Sequence, residues 1–162
     1  MSAEQRIREL GIELTVPPKP MAAYVTFAQA GSMAYTSGHG PQRGDGSFVT
    51  GRLGEDLGAE EGKEAARLTA LGLLATLRAE LGSLDRVKRI VKVLGMVNST
   101  PSFTDQPAVI NGCSELLGAV FGEAGRHARS AVGVAALPAG MAVEIEVIIE
   151  VHPEPRPGDP SL

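Results

Sequence analysis

Arg129 is the residue of this sequence best suited to binding a small acid. It opens the stretch Arg129-Ser130-Ala131-Val132-Gly133-Val134-Ala135, which alternates as a strand. Its own face then carries Ala131, Gly133 and Ala135, so a guanidinium there has open space in front of it. A planar fork of N–H donors in such a space matches a carboxylate. A strand-end arginine paired with a neighbouring acid is the other reading, and the spacing leaves both open. Glu144 and Glu146 form the second constellation. They stand two apart on one strand face, so burying both raises at least one pKa and makes a general acid or base conceivable. A solvated or interface strand face fits them as well. Tyr24 and Asn111 are polar residues near the ends of predicted elements.

Other chemistries find less support. His39, His127 and His152 lack the spacing of metal ligands. Gly38-His39-Gly40 lies between strand and turn and opens no helix, so it does not read as a phosphate loop. No nucleophile elbow is present. Cys113 falls inside a helical pattern and reads as a small buried hydrophobe. With one cysteine there is no intramolecular disulfide framework. Nothing in the sequence calls for a metal or a cofactor.

The elements that must position these residues follow from pattern. Residues 2–10 predict a short helix, with Ser2 as N-cap, Gln5 three residues on as in a capping box, and Gly11 as its end. Pro17, Pro18 and Pro20 then impose an extended arm. Strands are expected at 24–29 and 33–37 around a turn at Gly31, with a short one at 47–50. Residues 59–81 predict an amphipathic helix, because Ala66, Ala70, Leu73, Leu74, Leu77 and Leu81 share one face. Residues 88–97 carry apolar residues on both faces and predict a central strand. A second amphipathic helix is expected at 106–121, capped by Thr104 or Asp105, with Pro107 in its first turn. Strands at 129–136 and 142–151 close the chain. On the last, Val143, Ile145, Val147, Ile149 and Val151 line one side, and Glu144, Glu146, Ile148 and Glu150 the other. The fold class expected is α+β: a mixed sheet with both amphipathic helices on one face. The half-polar opposite face suits a subunit interface. The division expected is an N-terminal helix and proline-rich arm at 1–19, one domain at 20–151, and a disordered tail at 152–162.

Composition narrows the function. The 162 residues carry 15 Lys plus Arg against 19 Asp plus Glu, a formal charge of −4. That argues against nucleic-acid binding through bulk positive charge. No apolar run approaches the roughly 20 residues that span a bilayer, and the charged N-terminus lacks a signal core, so a soluble cytoplasmic protein is expected. Aromatics are only 4% and Trp is absent. A core of small aliphatic residues buries little area per side chain, which favours self-association.

The closing stretch carries a resemblance. Ala128-Arg129-Ser130-Ala131-Val132-Gly133-Val134-Ala135-Ala136-Leu137-Pro138, followed by Val143-Glu144-Ile145-Glu146, resembles the signature of the Rid family of reactive-intermediate deaminases, the YjgF type also labelled endoribonuclease L-PSP. Tyr24-Val25, Thr36-Ser37-Gly38 and Asn111 fall where that family has a Tyr-Val pair, a Ser-Gly strand end and a helix Asn. The resemblance implies a chorismate-mutase-like fold and a homotrimer with sites at the subunit clefts. It implies hydrolysis of 2-imino acids to 2-keto acids and ammonia, without cofactor. Carried over, Arg129 binds the substrate carboxylate, helped by the Gly38 N–H beside Ser37. The Ala131 carbonyl contacts the imine nitrogen, and Glu144 holds or activates the water. Tyr24 and Asn111 shape the pocket, Tyr24 from the neighbouring subunit. An imine is already electrophilic, so fixing the carboxylate and placing a water supply the proximity needed.

This chain also departs from the family pattern. Ala131 stands where deaminase members have Cys, Gly133 where they have Glu, and His39 where Gln is common. There is an insertion around 99–102 and a helical N-terminal arm. These mark a divergent subgroup with a larger, less polar pocket. The rival expectation is a non-catalytic binder of small carboxylates. A ribonuclease is disfavoured by the acidic charge and the missing His/Lys cluster, and a chorismate mutase by the single arginine.

Overall fold

The computed structural model describes residues 1–20 and 22–154, so most of the tail expected at 152–162 lies outside the described residues. The first element is helix α1, Ala3–Glu9. Ser2 Oγ accepts the Gln5 backbone N–H at 3.2 Å, and the Gln5 side chain accepts the Ser2 N–H at 2.8 Å. This is the reciprocal box that the Ser-x-x-Gln spacing predicts. A helix this short is marginal by itself, and tertiary contacts hold it. Ile7 is 2% exposed. Glu4 forks onto Arg78, Oε2 to Nη2 at 2.6 Å and Oε1 to Nε at 3.1 Å, while Oε1 also accepts the Leu84 N–H at 2.9 Å.

Strands β1, Phe27–Ala30, and β2, Met33–Thr36, form a hairpin across Gly31 and Ser32. β1 begins three residues later than the 24–29 pattern predicts. One backbone bond, from the Ser37 N–H to the Thr26 carbonyl at 3.0 Å, continues past β1, and beyond it the Ser37 hydroxyl, not a backbone N–H, meets the Val25 carbonyl at 2.6 Å. The strand expected at 47–50 reduces to isolated bridges, Gln42 with Phe48 and Thr50 with Met141. Its partner changes within three residues, so no ladder forms.

Helix α2, Ala59–Leu81, strand β3, Val87–Asn98, helix α3, Gln106–Phe121, strand β4, Ala128–Val134, and strand β5, Val143–Val151, complete the domain. Asp105 caps α3 by position without a side-chain bond. The sheet order is β1-β2-β5-β3-β4, with β3 and β4 parallel and the other pairs antiparallel. The apolar side of β5 is buried beneath the helices, as its alternation predicts. The helical layer holds a third member. α1 packs against α3 and the turn that follows α2, an addition to the two-helix layer read from the pattern.

Helices α2 and α3 touch backbone to backbone at Gly112. A Cβ there would collide with the carbonyl of Lys63. Gly112→Ala gains roughly 0.5–1 kcal/mol of helix propensity, but overpacking against backbone costs about 1–3 kcal/mol. The net is a loss. Thermal unfolding of this variant is expected about 2–6 °C below wild type, and an unchanged Tm would show that the helices separate freely.

Candidate functional site

Sheet register decides which predicted residues meet. Arg129 pairs with Val93, and Val93 with Val147, whose side chain is 2% exposed beneath the helices. Arg129 therefore lies on the helical face, at the β4 edge. Ala131 follows on the same face beside Gly95 and packs against the core. Glu144 pairs with Met96, and Met96 with Val132. That row faces away from the helices. The sheet thus separates Arg129 from Glu144 within one chain.

The Arg129 side gathers residues from α3 and β4. Arg129 Nη1 donates to Asn111 Oδ1 at 2.9 Å and to Ser114 Oγ at 3.2 Å, and Nη2 donates to the Pro107 carbonyl at 3.2 Å. All three acceptors are neutral. Among the described residues no carboxylate pairs with this guanidinium. The ion-pair reading of Arg129 therefore finds no partner among the described residues. The side chain is oriented by its acceptors but its charge is not neutralised, and it keeps N–H donors for an anion.

The opposite face carries an open cleft of about 1180 Å³. Tyr24, Ser37, Gly38, Glu144 and Glu146 line it together, with the proline-rich arm at Val16–Pro18 as one wall and Phe48 and Met141 as another. Gly38 abuts Glu144 so closely that a Cβ would overlap the carboxylate. Burial holds the Glu144 carboxyl above the usual carboxylate range, and the neighbouring Glu146 charge adds to the effect. Ser37 is turned to structure, its hydroxyl proton bonded to Val25. His39 anchors the loop from beneath. It is 3% exposed, its Nε2 lies 2.8 Å from Thr76 Oγ1 on α2, and its Nδ1 lies 2.8 Å from the Ser37 carbonyl. Burial pushes the His39 pKa down, which keeps the ring neutral. Gly38→Ala is accordingly expected to displace Glu144 while leaving the fold intact. The check is turnover against circular dichroism, and undiminished turnover would mean that the carboxylate position is unimportant.

Cys113 is fully buried and its thiol is pushed up to about 12 by burial, consistent with a packing role. Among the described residues no cluster of His, Cys, Asp and Glu can hold a metal, and no helix is long and apolar enough to cross a membrane.

Residues 4–150 match the family described as "YjgF/chorismate_mutase-like, putative endoribonuclease". The chain belongs to this family. It is 47% identical over 147 residues to protein TCP17 of Trypanosoma cruzi, covering 90% of this chain and 92% of that one. It is similar to the crystal structure of Atu1372 from Agrobacterium tumefaciens, described as of unknown function, with 43% identity, a TM-score of 0.85, and coverage of 93% and 92%. E. coli TdcF, crystallised with bound serine, superposes with a TM-score of 0.62 at 26% identity, covering 84% of this chain and 94% of that one. The YjgF fold and the mixed sheet expected from the strand pattern are therefore established together.

Sequence reasoning misses two residues at the Arg129 side, Ser114 and His127. A signal for both exists. Ser114 lies three residues after Asn111 on one helix face, and His127 lies two before Arg129. Metal-ligand spacing, the usual reason to single out a histidine, is absent at His127 and hides it.

Proposed function

We propose that this YjgF-family protein hydrolyses 2-imino acids, R–C(=NH)–COO⁻ plus water, to 2-keto acids and ammonia, at clefts between copies in a homotrimer. The observation that carries the reading is Arg129, a guanidinium held by three neutral acceptors and left without a carboxylate partner among the described residues. A half-buried cation at the sheet edge in that state is suited to a substrate carboxylate. Because Glu144 lies across the sheet from it, one copy supplies Arg129 and Asn111, and a neighbouring copy supplies Glu144, Gly38 and Tyr24. The exposed Val25, Tyr24, Tyr35 and Val132 side chains, at 65%, 44%, 45% and 44%, give apolar surface for that contact. Arg129 anchors the carboxylate. The Gly38 N–H and the Ala131 carbonyl help orient the acid and the imine. Glu144 takes a proton from the attacking water and returns one to the departing nitrogen.

The test is release of ammonia and keto acid from imines generated freshly by an amino-acid oxidase, across a panel of side chains. Sedimentation at the same concentration reads the assembly. Acceleration by a trimer is the expected result. No acceleration on any imine would overturn the reaction, and active monomers would overturn the shared cleft. The second reading, a non-catalytic binder of small carboxylates, is favoured by the serine bound to TdcF and by Ala131 and Gly133. Thermal stabilisation by keto or amino acids without turnover would support it. A ribonuclease would need RNA cleavage that survives Arg129→Ala.

A further inference from the structure

The Arg129 side holds a hydrogen-bond chain that runs beyond the residues assigned so far. His127 Nδ1 lies 2.6 Å from the Gly125 carbonyl, and its Nε2 lies 2.9 Å from Ser114 Oγ. A carbonyl only accepts, so Nδ1 carries a proton, and in the neutral ring Nε2 is bare. The Ser114 hydroxyl must then donate to Nε2, which turns its oxygen lone pairs toward Arg129. Arg129 Nη1 donates to that oxygen at 3.2 Å and to Asn111 Oδ1 at 2.9 Å. Every donor and acceptor in the sequence Gly125, His127, Ser114, Arg129 has one consistent direction.

We infer that Ser114 and His127 form a positioning relay that holds the Arg129 guanidinium aimed at a bound carboxylate. This rests on the proposed role of Arg129. Neither residue touches substrate in it. His127 fixes the rotor of Ser114, and Ser114 with Asn111 fixes Nη1 of the fork, so the Nε proton and the Nη2 proton not donated to Pro107 can serve the ligand. Asn111 and Ser114 lie one helical turn apart and clamp the same nitrogen from two sides. The geometry of a bidentate pair depends on such support from behind. Burial and the adjacent Arg129 charge both lower the His127 pKa, outweighing the opposing effect of its Gly125 bond. The bare Nε2 is therefore the state present near neutral pH.

The experiment compares Ser114→Ala, Ser114→Thr, His127→Ala, His127→Gln, the Ala/Ala double variant and Arg129→Ala. The readouts are kcat and KM on the oxidase-generated imine of 2-aminobutanoate, and Kd for 2-oxobutanoate by calorimetry. Each Ala variant is expected to raise KM and Kd about tenfold, the scale of one lost hydrogen bond to a charged group, with kcat within about twofold. Thr and Gln keep a hydroxyl or an acceptor in place and are expected to restore KM to within about threefold. The double variant is expected to match the worse single one, since a broken chain cannot break twice. Unchanged KM and Kd in Ser114→Ala, or multiplying effects in the double variant, would overturn the relay while Arg129→Ala still abolished binding. Unchanged Kd in Arg129→Ala would instead overturn the carboxylate anchor itself. The Ser114 pair carries the test if His127→Ala fails to fold.

Discussion

Arg129→Ala is expected to reduce kcat/KM for 2-imino acids by about 30-fold to a few thousand-fold and to leave the fold unchanged. The magnitude follows from what is lost. Truncating one partner of a hydrogen-bonded charge pair costs about 2–5 kcal/mol, and about 1.4 kcal/mol is a factor of ten. The fold is spared because the three bonds Arg129 makes are to Asn111, Ser114 and the Pro107 carbonyl, between the first turn and the middle of α3 and outside its buried apolar residues. They secure no core contact. Steady-state kinetics with thermal unfolding in parallel reads both claims. A variant that keeps turnover would show that the carboxylate is held elsewhere. A variant that loses its assembly state would show that the arginine is structural. Arg129→Lys discriminates further. A lysine keeps the charge without the planar fork, so it is expected to recover only a small part of the loss.

Glu144→Gln carries the second large effect, and its sign differs between activity and stability. If the carboxylate takes a proton from water, replacing it by an amide lowers kcat by about a hundredfold or more. KM is expected to change little, because Glu144 is not the anchor. Burial and the Glu146 charge hold the Glu144 carboxyl above its usual 4.5. The folded state therefore favours the protonated form more than the unfolded chain does. That group is neutral in both states at low pH and adds no penalty there. As pH rises through 4.5 and the raised folded value, the unfolded chain ionises first and stability falls. Above both values the folded state bears the whole penalty. The amide of the variant has no proton to lose, so Glu144→Gln is expected to melt higher than wild type near neutral pH and to lose this part of the acid dependence. In wild type, kcat should fall as pH drops through the raised value, since the base becomes protonated. A pH-rate profile and pH-dependent melting of both proteins measure these effects. A less stable Glu144→Gln protein, or an acid limb that persists in its residual rate, would remove Glu144 from this role.

Gly38 and Glu144 show how a site can be half legible. That glycine precedes His39 in a loop too glycine-rich for regular structure, which says only that the chain turns. Its reason for being glycine is a collision with a side chain more than a hundred residues away. The His39 anchor is similar. A buried histidine bonded to Thr76 on α2 cannot be inferred from a Gly-His-Gly tripeptide, since the partner comes from another element. Ser114 and His127 sit closer to the readable limit. Their spacing to Asn111 and Arg129 brings them close in sequence, while the contact between them and its donor directions are set by how the chain before β4 lies against α3. The 47–50 segment misleads for a physical reason. Its composition favours a strand, but strand formation needs a continuous partner, and its neighbours change from Gln42 to Met141 within three residues.

The sequence by itself determined the long helices, the alternating strand faces, the α+β class and the family resemblance. Each rests on local periodicity or on a contiguous motif. Helical repeats and strand alternation are imposed by backbone geometry, so they survive in one dimension. Only the tertiary structure decided that Arg129 meets Asn111, Ser114 and Pro107 rather than a carboxylate among the described residues, and that Gly38 is pressed against Glu144. It alone placed Arg129 and Glu144 on opposite faces of one sheet. Those facts depend on register between strands distant in the chain, and a shift of one residue reverses the face that every side chain takes. Strand pairing sets that register, through β3 lying between β4 and β5, and no local pattern encodes it.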